Sequence, residues 1–325
     1  MSLAMECRYE TSFRSTAFSQ IRRISIACGV FDGVHLGHQK VIAALLRIAR
    51  ETNSEPVALT FDPHPRTLFG KEPISLLVPL NFRALLLREC GVKEVVVRQF
   101  DREFAAQEPE LFLRSLLRLP HLELAGFCVG SSWRFGAGGR GNAALIREFA
   151  RRGGFCFEAV PELEIDGGVV SSTRIRELLR KDDLDGAARL FGRCVSLFGT
   201  VRRGYQLATA ELEAPTANLE CGVELPIRDG VYAARAYFQD RWYRAAVNIG
   251  WAPTFHYAHP QRRVEVHLLG CKAELYDKYL RVELLGFLRE EKKFQTVREL
   301  KNQIDCDLEA IRAACIPFFE EKERI

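Results

Sequence analysis

One stretch near the amino terminus, residues 24–51, constrains the fold more than any other part of the sequence. It begins as a short apolar run at 24–30, which is typical of a buried strand. After Gly29 and Gly33 it continues into a helical pattern whose apolar stripe begins at Val41. A strand, a glycine-containing turn and a helix start offer backbone N–H groups and a positive dipole end to an anion. The stretch therefore predicts an anion-binding strand–turn–helix unit.

Two histidines, His35 and His38, stand at the predicted helix start, and Gly37 between them allows a ligand to approach the backbone. Imidazole donors beside a helix N-terminus suit a polyphosphate, where negative charge builds up during group transfer. The same pair is also compatible with zinc ligation or with two ordinary surface histidines. The chain contains no Cys-x-x-Cys or His-Glu-x-x-His pattern that would supply further zinc ligands.

The first half of the chain alternates between apolar strand patterns and helical patterns. The predicted strands lie at 24–30, 57–61, 94–98, 124–129 and 155–160, and the predicted helices at about 38–51, 81–90, 109–118 and 142–152. Such alternation predicts a parallel sheet covered on both faces, with ligands bound beyond the carboxyl ends of its strands.

Three further segments of this half contain candidate site residues. Residues 62–65, Asp-Pro-His-Pro, form a stiff turn in which two prolines fix the backbone. Residues 130–141 form a loop with five glycines, two arginines and two aromatic residues, which is suited to closing over phosphate and a flat ring. Residues 171–176, Ser-Ser-Thr-Arg-Ile-Arg, cap a helix and offer guanidinium groups to phosphate.

The string Gly29-x-Phe-Asp-Gly-x-His-x-Gly-His38 resembles the signature of nucleotidyltransferases, and most closely that of the bacterial bifunctional riboflavin kinase/FMN adenylyltransferase family, also called FAD synthetase. The resemblance implies an α/β Rossmann-like domain in which FMN phosphate attacks the α-phosphorus of ATP. It implies that four residues hold phosphates or assist the leaving group: His35, His38, Arg174 and Arg176. It places nine others in ATP or flavin binding: Gly29, Phe31, Asp32, Gly33, Gly37, Asp62, His64, Ser172 and Thr173. Ser132 and Val30 depart from the family pattern, which has an acidic residue and an Asn there.

The second half has a different sequence pattern, with short strand-like runs separated by turn residues. They lie at Cys194–Val201, Gly230–Phe238, Trp242–Ile249, Arg262–Leu269 and Leu280–Leu285. Short strands without intervening helices predict an antiparallel sandwich or barrel, and a final apolar stripe from Val297 predicts a carboxy-terminal helix. On one strand, alternation puts Glu265 and His267 on one face and Val264, Val266 and Leu268 on the other. An acidic residue that faces into a barrel is costly without a partner, and a charged strand position more often faces solvent.

This half resembles riboflavin kinase domains through Pro215-Thr-Ala-Asn218, Val264–Leu268 and the segment that begins at Asn248. The resemblance implies an antiparallel β-barrel that transfers the γ-phosphate of ATP to the 5′-hydroxyl of riboflavin. It assigns the general base to Glu265, magnesium ligation to Thr216 and Asn218, and ATP or flavin binding to Asn248. Glu213 and Asp277 stand where the family has glycine. A carboxylate of Glu213 pointing at ATP predicts a weak kinase, whereas a rebuilt loop predicts a competent one, which the retained motif residues favour.

The length of 325 residues predicts two domains, and the change of pattern and the two resemblances place them at 20–190 and 191–325. A net charge of +4 is too small to indicate nucleic acid, and no apolar run suggests a membrane span. Ten cysteines without a pairing pattern indicate buried free thiols in a reducing cytoplasm. Riboflavin, FMN, ATP and Mg²⁺ are the expected ligands, and the oligomeric state is not readable from the sequence. Two alternatives remain at this stage, a monofunctional FMN adenylyltransferase with a degenerate kinase barrel and a non-catalytic flavin-binding regulator.

Overall fold

The computed structural model describes residues 21–70, 74–118, 121–202, 216–251, 262–271 and 273–292, with isolated positions between 298 and 309. They form two units. The first runs to Ile175 and includes Leu190–Gly192, and the second comprises Arg176–Arg189 and the chain from Arg193. Glu213 and most of the predicted carboxy-terminal helix lie outside the described residues.

The first unit is built on a five-stranded parallel sheet. Its strands are β1 (Arg22–Cys28), β2 (Glu55–Asp62), β3 (Glu94–Gln99), β4 (Leu122–Gly130) and β5 (Cys156–Val160), in the order β3-β2-β1-β4-β5. The predicted α/β sheet is confirmed. The strand centres are almost fully buried, which explains their continuous apolar runs. A two-stranded antiparallel ribbon follows, formed by β6 (Glu164–Ile165) and β7 (Gly168–Val169).

Helices accompany these strands, and six of those described begin at a side chain that caps the first turn. The helices are α1 (Leu36–Glu51), α2 (Pro65–Phe69), α3 (Leu80–Glu89), α4 (Arg102–Ala105), α5 (Pro109–Leu117), α6 (Ala143–Gly153), α7 (Ser172–Arg180) and α8 (Leu184–Phe191). The capping side chains are His35, His64, Asp101, Asn142, Ser171 and Asp183. No helix among the described residues is long and apolar enough to span a bilayer.

The second unit contains a closed antiparallel barrel of six strands. They are β8 (Ser196–Arg202), β9 (Thr216–Cys221), β10 (Gly230–Phe238), β11 (Arg241–Trp251), β12 (Arg262–Leu268) and β13 (Tyr279–Arg289). Around the barrel the order is β10-β11-β12-β9-β8-β13, and β13 pairs with β10 to close it. The predicted barrel is confirmed. Strand β9 was not among the strands predicted from the sequence, because its polar residues hide the alternation.

The interior of the barrel is filled by alternate residues of each strand. Val247, Val266 and Ala217, which are almost fully buried, lie opposite one another on three neighbouring strands. Glu265 alternates with them and therefore lies on the outer face. The register agrees with the predicted alternation, which separates Glu265 from Val266 and Leu268.

The cysteine prediction holds for the strands that pack in the core. Cys28 and Cys128 are buried free thiols, and burial raises the pKa of both. Cys156 is exposed, which corrects the expectation for that residue. It begins the edge strand β5, whose residues are only partly covered.

Candidate active sites

The loop after β1 has a strained backbone at residues that are not glycine. Phe31 and Val34 have φ values of 53° and 41°, and the N–H of Val34 donates to the carbonyl of Phe31 over 3.0 Å. A positive φ is uncommon for a non-glycine residue and a genuine outlier for a β-branched one. Strain of this kind is held by surrounding structure and clusters at ligand sites. Phe31 is buried, so its packing stabilises the conformation.

His35 ends this loop and caps α1. Its Nδ1 accepts from the backbone N–H of His38 over 3.4 Å, and the two imidazole rings stack with centroids 3.6 Å apart. Because Nδ1 accepts, the neutral ring of His35 carries its proton on Nε2. An added Cβ at Gly37 would come within 3.2 Å of the His35 ring, so a larger residue there would crowd the ring. The structure therefore brings together the two histidines and Gly37.

Asp32 supports the loop after β1 through its side chain and its backbone. Its Oδ1 accepts from the backbone N–H of Leu77 over 2.9 Å, and its side chain is buried. The hydroxyl of Ser172 donates to the carbonyl of Asp32 over 2.8 Å, which ties the first turn of α7 to the loop after β1. Asp32 and Ser172 thus hold the loop in place.

Arg174 contacts the two-stranded ribbon. Its Nη1 donates to the carbonyls of Ile165 and Gly168, at 2.7 and 2.6 Å, and these bonds orient the guanidinium. Arg176 lies one helical turn beyond Ser172 and is buried.

The turn after β2 carries Asp62 and His64. Asp62 precedes a cis-proline, and its carbonyl accepts from the N–H of Phe100 over 2.8 Å. His64 is buried and caps α2, with Nδ1 accepting from the N–H of Arg66 over 3.0 Å. The Nη1 of Arg66 donates to Thr173 Oγ1 over 3.4 Å, which joins this turn to the start of α7.

A cavity of about 940 Å³ opens beside this turn in the first unit. Trp133 and Phe135 stack within its wall, with ring centroids 4.7 Å apart and planes 14° apart. Its other aromatic lining residues are Phe61, Phe69, Phe100, Phe104 and Phe112, and its arginines are Arg66, Arg102 and Arg134. A flat aromatic wall with arginines suits a flat ring system that carries an anionic group.

Arg83 is a site residue that sequence reasoning missed. It lies on α3 and is fully buried, with Nη1 donating to the carbonyls of Val30 and Phe61 at 2.9 and 3.2 Å. These carbonyls stand at the ends of β1 and β2, so one guanidinium joins both loops. Only its burial within an otherwise apolar helix face distinguishes Arg83, and that requires the three-dimensional fold.

The second unit brings together three of the predicted residues. In the strand register Asn218 lies opposite Glu265, and Glu265 lies opposite Asn248. Side chains directly opposite in antiparallel strands share a face and lie about 5 Å apart at Cβ. Thr216 begins β9 on the same strand as Asn218. The segment before it, residues 203–215, lies outside the described part of the chain.

Glu265 is partly buried on this outer face. Burial raises the pKa of its carboxyl above the ordinary value, Arg263 lowers it, and the carboxylate of Glu291 raises it again. Asn248 Nδ2 donates to Glu291 Oε1 over 3.1 Å. The outer face thus combines the Glu265 carboxylate, which accepts a proton more readily than usual, with the amide side chains of Asn218 and Asn248.

The described residues do not favour a metal centre held by the protein alone. No group of three or more His, Cys, Asp or Glu side chains within them is placed to bind a metal ion. The rings of His35 and His38 are nearly parallel, so their in-plane nitrogens do not converge on one ion. The oxygen atoms of Asn218 and Glu265 are the hard ligands that Mg²⁺ prefers, and they fit an ion shared with nucleotide phosphates.

Two family models match the chain in the same order as its two units. The model described as FAD synthetase matches residues 18–174, and the model described as riboflavin kinase matches residues 191–315. The first match contains His35, His38 and the aromatic cavity. The second contains Asn218, Glu265 and Asn248, which lie side by side on three strands.

Relatives named bifunctional riboflavin kinase/FMN adenylyltransferase cover most of the chain. The Haemophilus influenzae protein is 33% identical over 89% of this chain and 93% of its own length, and the Escherichia coli K12 protein is 33% identical over 87% and 90%. The Bacillus subtilis protein is 32% identical over 88% and 91%. A crystal structure described as a macrolide-efflux protein from Streptococcus pneumoniae covers 94% of this chain and 98% of its own, at 25% identity and a TM-score of 0.76.

Proposed function

The chain belongs to the family of bifunctional riboflavin kinase/FMN adenylyltransferases, and on that premise we propose a site for each of its two reactions. It is an enzyme that phosphorylates riboflavin to FMN with ATP and adenylylates FMN to FAD with ATP, releasing pyrophosphate. The monofunctional and regulatory alternatives are not favoured, because both domains of the bifunctional family are present. We assign adenylyl transfer to a domain at 20–190 and the kinase to a domain at 191–325. We also propose that the protein works in the cytoplasm.

For adenylyl transfer, the observation that carries the proposal is the histidine pair at the start of α1. The attacking FMN phosphate is already an anion, so the reaction needs positioning and charge neutralisation more than a strong base. Nε2–H of His35 and the imidazole of His38 donate to the ATP phosphates at the positive end of the α1 dipole. Gly29, Gly33 and Gly37 let the nucleotide approach the backbone.

The arginines and the loop residues have separate proposed roles in adenylyl transfer. We propose that Arg176 stabilises the pyrophosphate leaving group, and that Thr173 and Asp62 contribute to nucleotide binding. Arg174 acts as a positioning residue, because its guanidinium is bound to the ribbon carbonyls. Asp32 likewise positions the loop through Leu77.

The aromatic cavity is our proposed site for FMN. Trp133, which is backed by the stacked ring of Phe135, gives a flat face against which an isoalloxazine ring can stack. His64 and Arg66 lie in the same lining and suit the flavin phosphate, which carries negative charge. The cavity opens beside the carboxyl ends of β1 and β2, where ligands bind in open α/β sheets.

For the kinase, the supporting observation is the row of Asn218, Glu265 and Asn248 across three strands. The 5′-hydroxyl of riboflavin must lose a proton to attack the γ-phosphate, and a general base in reach is worth about 10²–10⁴-fold in rate. Glu265 takes that proton, and its raised pKa matches the task better than that of an exposed carboxylate. Thr216 and Asn218 would hold magnesium, which when bound neutralises charge on the ATP phosphates.

A turnover assay on single variants tests both assignments. Glu265→Gln should abolish FMN formation and leave adenylylation of supplied FMN nearly unchanged, and His38→Ala should do the reverse. Products from riboflavin and ATP are separated by chromatography, with the folded state checked by thermal unfolding. Loss of both activities from either substitution in a folded protein would contradict the two-site assignment.

A further inference from the structure

The carboxylate of Glu291 fixes the orientation of the Asn248 side chain. Glu291 lies two residues beyond the end of β13, and its Oε1 accepts from Asn248 Nδ2 over 3.1 Å. An ionised carboxylate can only accept hydrogen bonds, so the amide NH₂ must face it. The carbonyl oxygen of Asn248 therefore points away from Glu291.

That carbonyl oxygen, Oδ1, is buried and is left without a hydrogen bond among the described residues. A buried acceptor without a partner is costly and calls for an explanation. Asn248 lies directly opposite Glu265 in the strand register, so this acceptor belongs to the residue that neighbours the carboxylate assigned as the base.

Gly250 makes this arrangement sterically possible. It lies two residues beyond Asn248 on β11, so both residues face the same side of the sheet. A Cβ at Gly250 would overlap the carboxylate of Glu291. Any other residue there would displace the carboxylate and release the Asn248 amide.

We propose that Glu291 is a positioning residue of the kinase site, which holds Asn248 so that its Oδ1 accepts from a hydroxyl of the riboflavin side chain. The proposal rests on the proposed function, because it takes Glu265 as the base for the adjacent 5′-hydroxyl. The reacting end of ATP is a polyphosphate, which offers only acceptors at neutral pH. The hydroxyl-bearing chain of riboflavin is the substrate part that supplies donors there.

Kinetics of two variants test the proposal. Glu291→Gln lets the side-chain amide turn, and Gly250→Ala displaces the carboxylate without changing either member of the pair. Each should raise the riboflavin KM about tenfold, the effect of one well-placed hydrogen bond, and change the ATP KM by less than about twofold. Adenylylation of supplied FMN should stay unchanged.

Two matched variants serve as controls. Glu290→Gln removes the neighbouring carboxylate, which pairs with Arg228 at the surface. Gly286→Ala adds a methyl group on β13 where nothing lies within 4 Å of the new Cβ. Both should leave the riboflavin KM as in the unchanged protein.

A reciprocal exchange separates positioning from general stability. Asn248→Asp places two carboxylates together and should impair FMN formation. Adding Glu291→Gln restores one donor and one acceptor, and should recover most of the lost activity. An unchanged riboflavin KM in Glu291→Gln, a shift in magnesium activation instead, or no recovery in the double variant would overturn the proposal. FMN formation by Glu265→Gln would instead refute the proposed base.

Discussion

The imidazole rings of His35 and His38 stack face to face, with centroids 3.6 Å apart and planes inclined by 18°. His35 also caps α1 through Nδ1, so its ring has a structural task and a proposed substrate contact. Both tasks depend on the same side chain, and substitutions can separate them because asparagine is a good N-cap and alanine is not.

His35→Asn and His35→Ala should therefore differ in stability and agree in activity. Both remove the imidazole donor and should lower FMN adenylylation by about 10²-fold or more. Only the alanine variant loses the cap, at about 1 kcal/mol. That loss corresponds to a fall of about 2–4 °C in the unfolding midpoint. Thermal unfolding and FAD formation are measured side by side, and an active His35→Asn enzyme would leave His35 with the capping role alone.

Glu265 should make the barrel less stable at neutral pH. A carboxyl with a folded pKa above its unfolded value holds its proton more tightly in the folded state. Its contribution to stability is therefore present at low pH and is lost as the pH rises through the folded pKa. Glu265→Gln should raise the free energy of unfolding at pH 8, and the gain should vanish below the ordinary glutamate pKa. Urea unfolding with EDTA and without nucleotide measures this.

The matched control for that experiment is Glu274→Gln, which changes an exposed glutamate of the same unit. It should give no comparable gain at pH 8. An equal rise in the free energy of unfolding in both variants would mean that net charge causes the effect. No rise in Glu265→Gln would contradict the argument that burial raises the pKa of Glu265.

Much of the fold could be predicted because its signals are local. The parallel strands appear as apolar runs, and the loop after β1 carries a motif whose glycines and histidines follow one another in the chain. Strand β9 was not predicted from the sequence, because its side chains Asn218 and Glu220 face outwards among polar neighbours. The outer-face position of Glu265 could not be known before the register of three strands was fixed.

The site residues that sequence reasoning missed depend on long-range contacts. Arg83 contacts a carbonyl 53 positions away, and nothing in its own neighbourhood marks it. Glu291 lies in a stretch, 288–294, that resembles riboflavin kinases, but its contact with an amide 43 positions away depends on the fold. Arg174 shows the converse case. Its motif suggests a phosphate contact and gives no sign of the ribbon carbonyls to which its Nη1 donates. A motif specifies residue types, and only the fold decides which partner each side chain reaches.

Both reactions should depend on magnesium. Each brings ATP phosphates next to donors that neutralise only part of their charge, and the oxygen ligands at Asn218 suit a hard cation. EDTA should abolish FMN and FAD formation, and added Mg²⁺ should restore both. Elemental analysis should find no tightly bound zinc. Turnover in the chelated protein, or zinc that is lost in His38→Ala, would contradict this assignment.

Trp133 supplies the prediction that most directly tests the flavin cavity. Stacking of an aromatic side chain on a flat heterocycle is worth about 1–3 kcal/mol, or roughly 10–100-fold in affinity. Trp133→Ala should raise the KM for FMN in adenylylation by that factor and leave the ATP KM and the riboflavin KM of the kinase unchanged. Trp133→Phe keeps a flat ring and should lose less than about threefold. Trp251→Ala, at an exposed tryptophan of the second unit, is the control. An FMN KM that stays constant in Trp133→Ala would move the flavin out of this cavity.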